Sequence, residues 1–170
     1  MAASTKRPFF TRASDKLYLR LRHRAAWASA TAEAADPGRG FESLHGHRYA
    51  LLTTFRKSGE PVPTPVWFGV GEDGRLYLRS ERDTGKVKRV RNDGRVRIAP
   101  SNFRGKPLGA PVEGRARVLP PEEEERAEHA IQSNYGRFRK VYESAGNRIG
   151  IDAVYIEVEP AAGETVAATA

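Results

Sequence analysis

Arg79, Ser80 and Lys86 fall at the junction between an alternating stretch, 75–80, and a strongly basic one, 79–91. The first reads as a strand that carries Arg79 and Ser80 to its end. A helix is predicted to start at Thr84 or Gly85, with Lys86 in its first turn. Helix N-termini present unpaired backbone N–H groups and a partial positive charge, and so hold anions. A guanidinium, a hydroxyl and an ammonium beside them complete a set of phosphate donors. The pattern predicts a cradle for a phosphorylated cofactor, held against a small barrel.

Two phosphate-binding strings elsewhere do not survive inspection. Gly69-Val-Gly71-Glu-Asp-Gly74 has the spacing of a dinucleotide fingerprint, but a strand pattern follows where that motif requires a helix. Glu72 and Asp73 would also repel phosphate, so the segment reads as a hairpin. The run from Ser80 to Val87 approximates a Walker A loop with Ser80 in place of its first glycine. Val87 replaces the hydroxyl that would hold Mg²⁺, which argues against nucleoside triphosphate hydrolysis. His45 and His47 precede a strand with no carboxylate pair near them, and neither H-E-x-x-H nor G-x-S-x-G occurs. The acids 122–125 read as helix-start charge. No metal site and no catalytic side chain is assigned.

The elements that must position the cradle are short strands. With 170 residues, 39% of them hydrophobic, the chain is long enough for one domain with a real core. Its 16 glycines and 11 prolines lie mostly between short apolar stretches, as in a turn-rich β protein. Strands are predicted at 48–55, 62–70, 75–80, 95–100, 112–119 and 153–159, a six-stranded, mainly antiparallel barrel with helical trim. Pro61, Pro63 and Pro65 place the second strand at an edge or bulge. Pro120-Pro121 followed by four glutamates starts a helix expected to reach about residue 142. Residues 1–40 read as a basic helical arm, 41–160 as the cofactor-binding domain and 161–170 as a tail.

Net charge is +8 and unevenly spread. Residues 79–106 carry 10 basic and 3 acidic side chains, a net of +7. That asymmetry points to an anionic partner. Nucleic acid is disfavoured, since the basic run has no interleaved aromatics. The absence of cysteine excludes thiolate chemistry and disulfides, and no apolar run reaches the ~20 residues of a membrane span. Without a signal-peptide pattern, a cytoplasmic protein is expected.

The string from Tyr49 to Phe68, then 76–80, 84–89, 95–100 and 112–119, resembles in order the pyridoxamine 5′-phosphate oxidase-like split β-barrels of FMN-binding type. More narrowly it resembles their actinobacterial flavin/deazaflavin branch, over residues 41–158. The resemblance implies a homodimer with two cofactor sites at the subunit interface and a small-molecule substrate. It implies coenzyme F420 as cofactor, with FMN as the alternative, and hydride transfer to an unsaturated molecule. By position, Thr64, Pro65, Val66 and Trp67 would line the ring and ribityl chain, and Arg79, Ser80, Thr84, Gly85 and Lys86 would hold the phosphate. Only the second set was also reached from the residues themselves. A non-catalytic cofactor-storage protein is the other reading. The segment 155–170 lacks the Trp and Arg with which oxidases of vitamin B6 grip pyridoxal phosphate, so that activity is not expected. Arg82, Lys88, Arg89 and Arg91 exceed what one phosphate needs, and are expected to attract the acidic glutamate tail of F420.

Overall fold

A computed structural model describes residues 24–33, 40–135 and 152–161. Seven strands form one curled antiparallel half-barrel: β1 (Tyr49–Phe55), β2 (Pro61–Val66), β3 (Gly69–Val70), β4 (Leu76–Glu81), β5 (Arg95–Ser101), β6 (Val112–Val118) and β7 (Ala153–Pro160). Their order across the sheet is β2-β1-β5-β6-β7-β4-β3. Three helices trim it: α1 (Ala25–Thr31), α2 (Gly85–Asn92) and α3 (Glu124–Tyr135), the last preceded by a 3₁₀ turn at Pro121–Glu123.

The seventh strand arises where the predicted strand 62–70 divides. Trp67 and Phe68 leave β2, and Gly69–Val70 pairs with β4 instead of β1. Gly69 is needed there because a Cβ would fall inside contact distance of the Ala130 carbonyl on α3. The hairpin reading of Gly69–Gly74 holds: β3 returns into β4, with the Gly74 φ at +73°. Only glycine takes that conformation without strain.

The core lies on the concave face, where Leu52, Val66, Leu76, Leu78, Val96, Ile98, Ile156 and Val158 meet Val87 and Val90 of α2. Alternation in β1, β5 and β7 brings this about. On the convex face, α1 packs against β2, with Ala26 clustered on Leu51 and Ala99. Arg97 holds the C-terminus of α1 by donating to the Ala32 carbonyl at 2.8 Å. That helix is the described part of the predicted arm; residues 1–23 and 34–39, and the predicted continuation of α3 beyond Tyr135, lie outside the described residues.

The prolines of β2 follow from its place at the edge. Val62, Thr64 and Val66 face Thr54, Leu52 and Ala50 of β1. A proline has no N–H, so the bonds that β2 donates to β1 come from those three. Among the described residues β2 is the last strand on that side, and Pro61, Pro63 and Pro65 turn their carbonyls outward with no N–H of their own beside them.

Candidate functional site

β4 delivers the predicted cradle residues, but alternation divides them. Leu76, Leu78 and Ser80 face the core, whereas Tyr77 and Arg79 face the convex side, beside Tyr155 of β7. The Arg79 Nε is buried and has no hydrogen-bond partner, one of two such side-chain atoms among the described residues. A buried donor without an acceptor costs about 1–3 kcal/mol, and so marks a place where an anion would be stabilising.

Ser80 and Thr84 do come together. Their hydroxyl oxygens lie 2.9 Å apart, and both hydroxyls reach the Glu81 carbonyl. Thr84 is the N-cap of α2, yet its side chain makes no capping bond. The N-terminus of α2 thus lacks its usual side-chain acceptor. Gly85 is exposed and Lys86 half-buried in the first turn. Two hydroxyls and an uncapped helix start come together here and fit a phosphate. The orphaned Arg79 N–H faces the other side of β4, where the sequence alone suggested one surface.

The ring-side set is divided in the same way. Val66 is part of the core and Thr64 shares its side of β2, while Pro65 faces away and meets the loop at Gly105. Trp67 leaves the strand and stacks on Tyr135 of α3, with Tyr49 edge-on at 6.3 Å. Neither tyrosine was picked from the sequence, because no local pattern links residues 49, 67 and 135.

Of the surplus cations, Arg82 is engaged by Asp152 at 2.8 Å. Lys88 and Arg89 face a concave region that also takes in Arg56 and Lys57 of the β1–β2 turn. The sequence gives no sign of that meeting, since the turn and α2 are some thirty residues apart in the chain. A second cleft, between β4 and the start of α3, is lined by Asp73, Tyr77, Glu122, Glu123, Arg126 and His129, among others. Beneath it Glu157, 1% exposed, receives bonds from Arg117 and Arg126, each at 2.7 Å. Burial, then the hydrogen bond to Asp73, pushes the Tyr77 phenol upward. Among the described residues no group of His, Asp and Glu could hold a metal ion, and no helix is long and apolar enough to cross a membrane.

A family model described as pyridoxamine 5′-phosphate oxidase matches residues 40–167, which take in the whole sheet. The chain belongs to that family. Curated proteins give no match. Among solved structures, the family member resembles a conserved hypothetical protein of Mycobacterium tuberculosis, with a TM-score of 0.53 and 20% identity over 76% of this chain and 86% of the other. It is also similar to an Agrobacterium tumefaciens protein of unknown function, with a TM-score of 0.53 and 23% identity. That match covers 70% of this chain and spans only about half, 51%, of the other. The heme storage protein HutZ of Vibrio cholerae gives a TM-score of 0.52 at 13% identity, over 70% and 85% of the two chains. At these identities the likeness is one of fold.

Proposed function

We propose that the protein is an oxidoreductase that uses the deazaflavin coenzyme F420 to transfer a hydride to an unsaturated small molecule, acting as a homodimer with its cofactor sites between subunits. The observation that carries this reading is the uncapped start of α2, where the Ser80 and Thr84 hydroxyls lie 2.9 Å apart. Arg79, Ser80, Thr84, Gly85 and Lys86 would hold the phosphate. Thr64, Pro65, Val66 and Trp67 would border the ring, through the carbonyl edge of β2 more than through side chains. The cofactor supplies the hydride chemistry, and the protein supplies placement and charge.

The phosphate donors serve FMN equally well, and FMN-dependent chemistry on the same barrel is the second reading. What favours the deazaflavin is the surplus of cations: Lys88 and Arg89, with Arg91 behind them, exceed the need of a single phosphate. Exposed ion pairs are worth about 0–1 kcal/mol each and are screened beyond ~8 Å at physiological salt. F420 is therefore expected to bind more tightly than FMN at low salt, with a gap that narrows but persists as salt rises. Parallel absorbance and fluorescence titrations with both cofactors test this. Equal affinity at every ionic strength would replace the deazaflavin with FMN. Binding of either without turnover of any unsaturated acceptor would favour storage.

A further inference from the structure

The basic cleft between the β1–β2 turn and α2 is a feature that the phosphate cradle does not account for. It is a shallow region, largely open to solvent, of about 430 Å³, and is lined by Arg56, Lys57, Gly85, Lys88, Arg89 and Asn92. Positions 85, 88, 89 and 92 stand at i, i+3, i+4 and i+7, so they share one helical face. Val87 and Val90, on the other side of α2, anchor it in the core. The helix is thus held against the core, and the fold brings its cations to those of the turn.

Three details make this more than a solvated surface. No carboxylate lines the cleft; Arg56 pairs outside it with Glu60 at 3.3 Å, and both side chains of that pair are more than half exposed. Arg89 is fixed inward by a 2.7 Å bond from its Nε to the hydroxyl of the fully buried Thr54. Gly85 leaves room for that guanidinium, since a Cβ there would lie 2.8 Å from the Arg89 Nη1. Four cations along one shallow surface, Arg56 among them paired with Glu60, repel each other, and a multiply charged anion relieves that repulsion best. Lys86 is not among the lining residues.

We infer that this cleft is a second anion site, next to the phosphate cradle and sharing Gly85 with it, which takes a compact group of two or more phosphates or carboxylates. A nucleic-acid strand is the less suitable occupant, because no aromatic side chain lines the cleft for bases to stack on. The inference goes beyond the cofactor assignment, which already draws on Lys88 and Arg89, because the cleft's chemistry needs only clustered negative charge, whichever molecule carries it.

Calorimetric titration of the full chain with sodium tripolyphosphate and with orthophosphate tests it. Tripolyphosphate should bind more tightly than orthophosphate. Lys57→Ala with Lys88→Ala should weaken it by roughly tenfold, while Lys86→Ala changes it by less than about twofold. Both lysines are exposed, so the double variant should keep its fold, and circular dichroism checks that. Equal loss with Lys86→Ala, or no preference over orthophosphate, would overturn the site. So would a random single-stranded oligonucleotide that binds more tightly than tripolyphosphate. Repeating the titration with saturating FMN and with saturating F420 separates the sources. Displacement by F420 alone identifies the clustered anions as the cofactor's own tail, and displacement by neither identifies a separate polyanion. Either result supports the second site.

Discussion

The Trp67 indole lies against the Tyr135 ring, with centroids 5.2 Å apart and planes within 24° of parallel. Tyr135 also accepts a bond from the Phe68 N–H at 3.0 Å and donates to the Arg48 carbonyl. The last residue of α3 thus pins the point where β2 gives way to β3. Tyr135→Phe should cost about 1 kcal/mol by loss of the hydroxyl's bonds. Tyr135→Ala should cost about a further 1 kcal/mol by loss of the stack. Urea unfolding measures both, and Trp67 emission should shift only with the alanine variant.

Gly69→Ala and Gly74→Ala should separate two reasons for a glycine. At Gly69 the obstacle is the backbone of α3, so the substitution must displace the helix and should cost several kcal/mol, about the range of severe core defects. At Gly74 nothing stands within 4 Å and only the positive φ matters, at a cost of about 1–2 kcal/mol. Thermal unfolding of the two variants should differ clearly in that order.

Lys86→Ala should weaken FMN binding by about 10–100-fold if Lys86 makes a charge-assisted bond to the single phosphate. Lys88→Ala should leave FMN binding nearly unchanged, since two residues turn a helix by roughly 200°. FMN is the right probe because it carries no acidic tail. Equal losses in a fluorescence titration would argue for diffuse charge.

Acid should destabilise the fold through Glu123 and Asp93. Hydrogen bonds from Arg117 hold the Glu123 carboxyl below its ordinary range, and those from Arg95 do the same for Asp93. A carboxylate with a lowered folded pKa contributes stability that is complete above its unfolded value, about 4. That contribution is lost as pH falls through the lowered folded value. Melting temperatures from neutral pH downward should decline below about pH 4, and Arg117→Met should flatten the decline while lowering the whole curve.

A homodimer should appear in solution as a scattering mass twice the 18.8 kDa of one chain. A mass of one chain at micromolar concentration would remove the interfacial cofactor sites from the proposal.

What the sequence made legible was local. Period-two alternation within the predicted strands 95–100 and 153–159 puts Val96 and Ile98, and Val154, Ile156 and Val158, each on one face, and all five lie in the core. The β4-to-α2 junction, with Arg79, Ser80 and Lys86, was also found from neighbouring residues. Glu157 was not: strand alternation puts it on the face opposite Ile156 and Val158, with nothing nearby in the chain to mark it as buried. In the structure Tyr77, Arg117 and Arg126 converge on it from three other elements. Its burial depends on partners 80, 40 and 31 residues away, which no local pattern can announce. The division of Arg79 from Ser80 followed directly from strand alternation, yet a cradle drawn as a list of donors obscured it. The meeting of Arg56 and Lys57 with α2 is again a matter of tertiary contact.

The edge of β2 has a consequence for how copies of this chain can associate. A strand arriving there finds the carbonyls of Pro61, Pro63 and Pro65 but nothing to answer its own, so at most half of a new ladder can form. Sheet-to-sheet polymerisation, the usual hazard of an open barrel, is blocked at that end by covalent structure and needs no surface charge to prevent it. Two such molecules can join through their faces or loops, but they cannot knit their backbones together across β2.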